Sequence, residues 1–193
     1  MVEKVYRTEL TPVSFLERSA LVFPEKTAVV HGDRQYTYRE FADRVYRFAS
    51  HLRDTGLHKH DRVAFLCPNI PPLLEAHYAV PAAGGILVAI NTRLNSQEID
   101  FILKHSGVKY LFVDHEFYPL VASLNLDALE VVRIDDTGNA DDPYEQFLAA
   151  GRPEPVVSWL VDEEEIISIN YTSGTTGNPK GDDCFLPRPA CPF

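Results

Sequence analysis

The chain contains no run of about 18 apolar residues, the length that a membrane-spanning helix requires. Its opening residues, Met1-Val2-Glu3-Lys4-Val5-Tyr6-Arg7, also lack the apolar stretch of a secretory signal. Cysteine is scarce. Three cysteines in 193 residues cannot build a disulfide framework, and their spacing suits no metal site. A reducing, cytoplasmic setting is the expectation. Basic side chains are short in one half only: residues 1–100 carry 12 basic and 12 acidic groups, residues 101–193 carry 6 and 16. The formal charge of −10 therefore sits in the second half, and the basic footprint that duplex nucleic acid needs is missing. The acidic runs Asp135-Asp136, Asp141-Asp142 and Asp162-Glu163-Glu164-Glu165 read as solvated surface rather than metal ligands. There is no internal repeat and no low-complexity segment.

What is present is ordinary globular material, 45% hydrophobic and 24% charged, enough for a sizeable core in one domain or slightly more. Residues 12–22 read as a helix stopped by Pro24. Thr27–Val30 and Gln35–Thr37 flank Gly32-Asp33 as a short hairpin. Thr37 and Glu40 form a capping box. The stripe Phe41, Val45, Phe48, Leu52 then predicts a long helix, with Asp43, Arg44, Arg47, Arg53 and Asp54 on its other positions and a stop at Gly56. Val63–Leu66 and Ile86–Ile90 are continuous apolar strands, separated by a helix that opens at Pro71-Pro72 and runs to about Ala83. A helix from Ser96 through Lys104 precedes strands at 110–113 and 131–134, with a short helix near 119–124 between them. Asp142 caps a helix opening at Pro143, and Ile166–Ile169 is the last strand. Short apolar strands alternating with amphipathic helices predict an α/β fold, a mostly parallel sheet covered on both faces. His77 is expected to be a core or half-buried histidine, Cys67 a small core residue, and His58 and His60 part of a surface turn.

One loop carries chemistry. Tyr171-Thr172-Ser173-Gly174-Thr175-Thr176-Gly177-Asn178-Pro179-Lys180-Gly181 packs three glycines, four Ser/Thr hydroxyls and a lysine directly after an apolar strand. Glycine lets backbone N–H groups close on an anion, hydroxyls add donors, and lysine adds a compact positive charge. Ligand loops of open α/β sheets leave the carboxyl ends of strands in this way. The loop is not a Walker A motif, because Gly174 and Gly177 are three apart and Lys180 is followed by glycine. No G-x-G-x-x-G occurs either. A plain Gly/Ser/Thr surface turn is the alternative reading of its composition.

The string resembles, position for position, the phosphate loop of the AMP-forming adenylating enzymes: acyl- and aryl-CoA synthetases, luciferases and peptide-synthetase adenylation domains. The resemblance is collinear over residues 11–181. Gln35-Tyr36-Thr37-Tyr38-Arg39-Glu40-Phe41 resembles the family's early helix start. Ala79–Gly85 followed by Ile86–Leu94 resembles its A-x-x-x-A-G…N-x-x-L element, and Glu98–Ser106 its next helix. The Asn91-Thr92-Arg93-Leu94 form and the loop itself are nearest the fatty-acyl and aryl CoA ligase branch. The resemblance implies an incomplete N-terminal domain of the adenylating-enzyme fold. It also implies a two-step reaction: a carboxylate attacks Mg-ATP to give an acyl adenylate, and the thiol of coenzyme A then displaces AMP. Thr172, Ser173, Thr175 and Thr176 would be donors, Gly174 and Gly177 would permit close approach, and Lys180 would be the cationic contact to ATP.

Other family elements do not occur in the sequence: the Tyr-Gly-x-Thr-Glu element whose glutamate helps bind magnesium, the Gly-Asp element that holds the ribose, and the C-terminal domain with its adenylating lysine. The magnesium site is thus expected to be missing here, and no catalytic residue is assigned. After Gly181 the chain departs from the family pattern. Residues 182–193 hold two of the three cysteines and three of the 14 prolines, and read as neither helix nor strand. That tail is expected to be out-of-frame or otherwise aberrant, residues 1–181 to be the start of an acyl-CoA synthetase inactive alone, and the uncovered sheet to promote self-association. A non-catalytic nucleotide- or phosphate-binding module is the competing reading, a ligand-free structural fragment a third. Fatty acids are the first expectation for the acid, aromatic acids the second.

Overall fold

A computed structural model describes residues 10–155, 157, 159, 160 and 162–171 in full, and residues 172 and 180–185 as backbone. Helix α1 (Pro12–Val22) starts at a Thr11/Ser14 capping box and buries Val13 and Leu16. A two-stranded hairpin follows, β1 (Thr27–His31) against β2 (Arg34–Thr37). Then come α2 (Tyr38–Asp54), β3 (Arg62–Leu66), α3 (Pro71–Ala82), β4 (Ile86–Ala89), α4 (Ser96–Ser106) and β5 (Val108–Asp114). The chain continues through α5 (Tyr118–Val121), β6 (Glu130–Ile134), α6 (Pro143–Ala149), β7 (Ile166–Thr172) and β8 (Lys180–Phe185). The start of α2 shows why the local chemistry was legible. Thr37 Oγ1 accepts from the Glu40 backbone N–H while the Glu40 carboxylate accepts from the Thr37 N–H and hydroxyl, closing the predicted box.

Six strands form one sheet in the order β6-β5-β3-β4-β7-β8. The first five are mutually parallel, and β8 runs antiparallel to β7. Alternation along each strand splits the core into two layers. Val63, Phe65, Leu87, Tyr110 and Phe112 face the helices α1, α2, α3 and α6. Ala64, Leu66, Val88, Leu111 and Val113 face α4 and α5. The first layer centres on an aromatic cluster in which Phe65 and Phe112 stack at 4.7 Å and Phe48 meets Phe112, Tyr144 and Phe147 edge-on. Each of the fully buried rings Phe48, Phe65, Phe112 and Tyr144 contributes about 1.5–3 kcal/mol through removal from water. The sheet is covered on both faces, as the alternating pattern predicts.

Three expectations need correction. Residues 182–185 are not irregular: they belong to β8, paired with β7 from Ile166↔Phe185 to Thr172↔Lys180. Asp182-Asp183 has poor strand propensity, but the open edge of β7 offers backbone groups to the returning chain, and that pairing overrides propensity. Arg44 does not stand on a solvent face; its side chain is largely buried in an ion-pair network described below. His77 is not a core residue. It sits on α3, exposed as a whole residue while its imidazole is partly desolvated, and lines a surface cleft.

Candidate functional site

Because β3, β4, β5, β6 and β7 are parallel, their carboxyl ends share one edge of the sheet. The loops after β3 (from Cys67), β4 (from Ile90) and β5 (from His115) all leave from that edge. So does the segment after Thr172, the one the sequence marks for phosphate. Of its candidate residues, Thr172 and Lys180 are described as backbone and stand opposite each other as the last β7–β8 pair. Ser173, Gly174, Thr175, Thr176 and Gly177 lie outside the described residues. The structure thus brings the two roots of the loop side by side at the carboxyl edge, the edge at which open α/β sheets bind ligands. The strand beneath it is held on the other side by β4, with Leu87↔Ser168, Val88↔Ile169 and Ala89↔Asn170 in register.

Two groups on the elements flanking β7 stand out that sequence reasoning did not single out as site residues. Arg93 lies in the loop after β4, next to β7 in the sheet. It is exposed, its backbone N–H bonds Asn91 Oδ1 at 3.0 Å, and its guanidinium makes no ion pair among the described residues. His105, in the last turn of α4, has Nδ1 2.8 Å from the Tyr171 hydroxyl. Only the family resemblance of Asn91–Leu94 and Glu98–Ser106 hinted at either segment.

The acidic runs are engaged in structure. Asp135 pairs with Arg133 at 2.7 Å; Asp136 pairs with His31 at 2.9 Å and with Arg34. Asp142, 2% exposed, caps α6 and accepts from the Thr137 and Tyr144 N–H groups. Glu165 pairs with Lys59 at 2.9 Å. Among the described residues no group of three or more His, Cys, Asp or Glu side chains is placed to hold a metal ion. Cys67 is buried with a free thiol, which burial pushes well above the usual thiol range, so it is the inert core residue expected. His58 and His60 are exposed in the turn before β3, again as expected. Asp114, at the end of β5, is buried; this raises its carboxyl above the ordinary carboxylate range, although it accepts from the Glu116 N–H at 2.9 Å.

A cleft of about 350 Å³ lies between β1 and the start of α3, walled by Val29, Val30, Ile70 and Leu74 with His31 and His77 at its rim. Desolvation holds the His77 imidazole below its ordinary value. No residue of β4, β7 or β8 lines this cleft, so the lining does not join it to the loop.

The family model for AMP-binding enzymes matches residues 16–181. The chain belongs to the AMP-binding enzyme family. Its match runs from α1 to Gly181, just past the second root of the loop. "Probable acyl-activating enzyme 21" of Arabidopsis thaliana is 42% identical over 181 residues, spanning 89% of this chain and 33% of that protein. Acetate–CoA ligase CCL3 of Humulus lupulus is 38% identical over 201 residues, spanning 90% of this chain and 34% of the ligase. Among solved structures, the anthranilate CoA ligase AuaEII in complex with anthranoyl-AMP superposes with a TM-score of 0.84 at 28% identity. That likeness covers 94% of this chain and 36% of AuaEII. The chain thus spans about a third of the length of the relatives it matches. Among its described residues no helix is long and apolar enough to cross a membrane.

Proposed function

We propose that this chain is the N-terminal part of an ATP-dependent acyl-CoA synthetase. In that reaction a carboxylate oxygen attacks the α-phosphorus of Mg-ATP and pyrophosphate leaves. The coenzyme A sulfur then attacks the acyl carbonyl of the adenylate and AMP leaves. One observation carries the reading: the family match is collinear through to a loop whose two roots are paired at the carboxyl edge of the parallel sheet. In this reading Thr172, Ser173, Thr175 and Thr176 donate to the β- and γ-phosphates, and Gly174 and Gly177 let the backbone approach. Lys180 supplies the cationic contact, and the unpaired Arg93 adds positive potential from the neighbouring loop. Holding the departing pyrophosphate is positioning and charge stabilisation, which dominates such phosphate chemistry. The substrate class is a carboxylic acid, fatty first and aromatic second, and a reducing compartment such as the cytoplasm suits the free Cys67 thiol.

The loop roots form within the described residues, which favours a second reading in which the chain binds phosphate without turnover. Calorimetric titration with Mg-ATP and with pyrophosphate separates the readings. Binding that Lys180→Ala weakens by about 10-fold or more, the scale of a charge-assisted contact, supports the loop assignment. Pyrophosphate exchange above background with any carboxylic acid would show turnover and rule the second reading out. A folded sample that binds neither ligand would make it a structural fragment.

The same reading expects self-association. Besides the outer edge of β8, unpaired among the described residues, α1 leaves Phe15, Leu21 and Val22 exposed at 54%, 83% and 54%. Sedimentation velocity should show dimers or larger species at micromolar concentration; a clean monomer would count against it.

A further inference from the structure

The residue before the loop, Tyr171, is tied to a different layer of the molecule. On β7 it stands opposite Gly181 of β8, one pair inside the terminal Thr172↔Lys180 pair. With Ile169 it packs on the core layer shared with α4. Its hydroxyl lies 2.8 Å from His105 Nδ1, and the two rings meet edge-on with centroids 5.8 Å apart. The imidazole is itself braced: Phe101, one helical turn earlier, stacks on it at 5.3 Å and 22°. The helix beneath is fixed by the buried side chains Ile99, Ile102 and Leu103 and by a full capping box between Asn95 and Glu98.

We propose that His105 is a positioning residue for phosphate binding, acting through the Tyr171 hydroxyl to hold the end of the β7–β8 hairpin against α4. The proposal deepens the phosphate-loop reading and rests on it. The physical need is plain. A loop that binds an anion with backbone N–H groups must keep its two roots in one place, because sub-ångström displacement of several donors at once is felt in affinity. Among the described residues, β8 has no further strand beside it in the sheet. The Tyr171 hydroxyl therefore supplies a lateral anchor from a packed helix, and Phe101 limits the rotamers the imidazole can adopt. Sequence separation of 66 residues hid the pair from sequence reading.

The test uses the whole chain with inorganic pyrophosphate as probe, comparing Tyr171→Phe, His105→Ala, the double variant and His105→Asn, whose amide nitrogen replaces Nδ1. Tyr171→Phe removes only one oxygen and leaves the ring packing. Loss of one hydrogen bond should weaken pyrophosphate binding about 3–10-fold in either single variant, no further in the double, with substantial recovery in His105→Asn. Melting temperatures should stay within a few degrees of the parent, because both groups are partly exposed. A purely structural role would shift melting and leave affinity alone; unchanged affinity in Tyr171→Phe overturns the proposal. Should the parent bind no pyrophosphate, the phosphate-loop reading fails, and amide hydrogen exchange still decides the tether. Faster exchange across the Tyr171↔Gly181 and Thr172↔Lys180 pairs in both single variants upholds it; unchanged protection overturns it.

Discussion

Replacing Arg44 with methionine should cost about 3–5 kcal/mol of folding stability, read from urea unfolding at neutral pH. The reason lies in what the substitution leaves behind. Glu75 is 0% exposed, inside the interface of α2 and α3. Arg44 Nε donates to one of its oxygens at 2.6 Å, and the Tyr144 hydroxyl donates to the other at 2.6 Å. The same guanidinium reaches both oxygens of Glu145 at 2.7 and 2.8 Å and lies 4.8 Å from the centre of the Tyr36 ring. One arginine thus links α2, α3, α6 and β2. Burial pushes the Glu75 carboxyl above the usual carboxylate range, although Arg44 and Tyr144 act to hold it down. Without Arg44 only the raising influence and one hydroxyl remain. The sign of the pH dependence follows. A carboxyl whose folded-state value is raised is best tolerated protonated, so its stability contribution is present below the unfolded value of about 4.3 and lost as pH rises through the folded one. The deficit of Arg44→Met relative to the parent should therefore shrink between pH 7 and pH 4.5. Adding Glu75→Gln should recover part of it at pH 7, because the amide still accepts from Tyr144 and carries no charge. A deficit below about 1 kcal/mol, or one independent of pH, would mean that the ion pair is not held as described.

That network also marks where sequence reading reaches its limit. The stripe Phe41, Val45, Phe48, Leu52 correctly places the buried face of α2, and all four are at most 4% exposed. Arg44 falls between those positions and so reads as solvent-facing. Its burial depends on partners 31 and 101 residues away, and nothing local in Leu73-Leu74-Glu75-Ala76 announces a buried carboxylate. The Thr37/Glu40 capping box, the proline-opened helices and the five parallel strands were legible because each rests on neighbours a few residues apart, whereas the Thr11/Ser14 and Asn95/Glu98 boxes were not read as such. β8 was not, since its pairing depends on the edge that β7 presents rather than on the propensity of Asp182-Asp183. At the site the pattern repeats. The loop announces itself through glycine, hydroxyl and lysine spacing, whereas Arg93 and His105 become visible only when the sheet sets β4 beside β7 and α4 over Tyr171.

Three glycine-to-alanine substitutions should separate crowding from backbone strain, with the largest loss, about 3 kcal/mol, at Gly151. A methyl on Gly151 would sit 1.9 Å from the Arg47 carbonyl oxygen and 2.6 Å from its carbon, both backbone atoms in the middle of α2. No rotamer can relieve that contact, so the segment following α6 must move away from the helix. Moving it breaks the bonds that seat it: Arg47 Nη1 to the Gly151 carbonyl at 3.0 Å and the Arg152 N–H to Ser50 Oγ at 2.8 Å. Gly56 presents the opposite case. Its φ of +91° strains any side chain, yet nothing lies within 4 Å, so alanine there should cost only about 1–2 kcal/mol. Gly84 combines both, with φ +86° and a new methyl 2.7 Å from Trp159 Cε3. There the obstacle is a side chain that can swing, although Arg53 stacks on it at 4.2 Å, so its cost should fall between the other two. Urea midpoints of the three variants give the order directly. Gly151→Ala within about 0.5 kcal/mol of the parent would mean that α2 and the segment leading toward β7 are not in backbone contact.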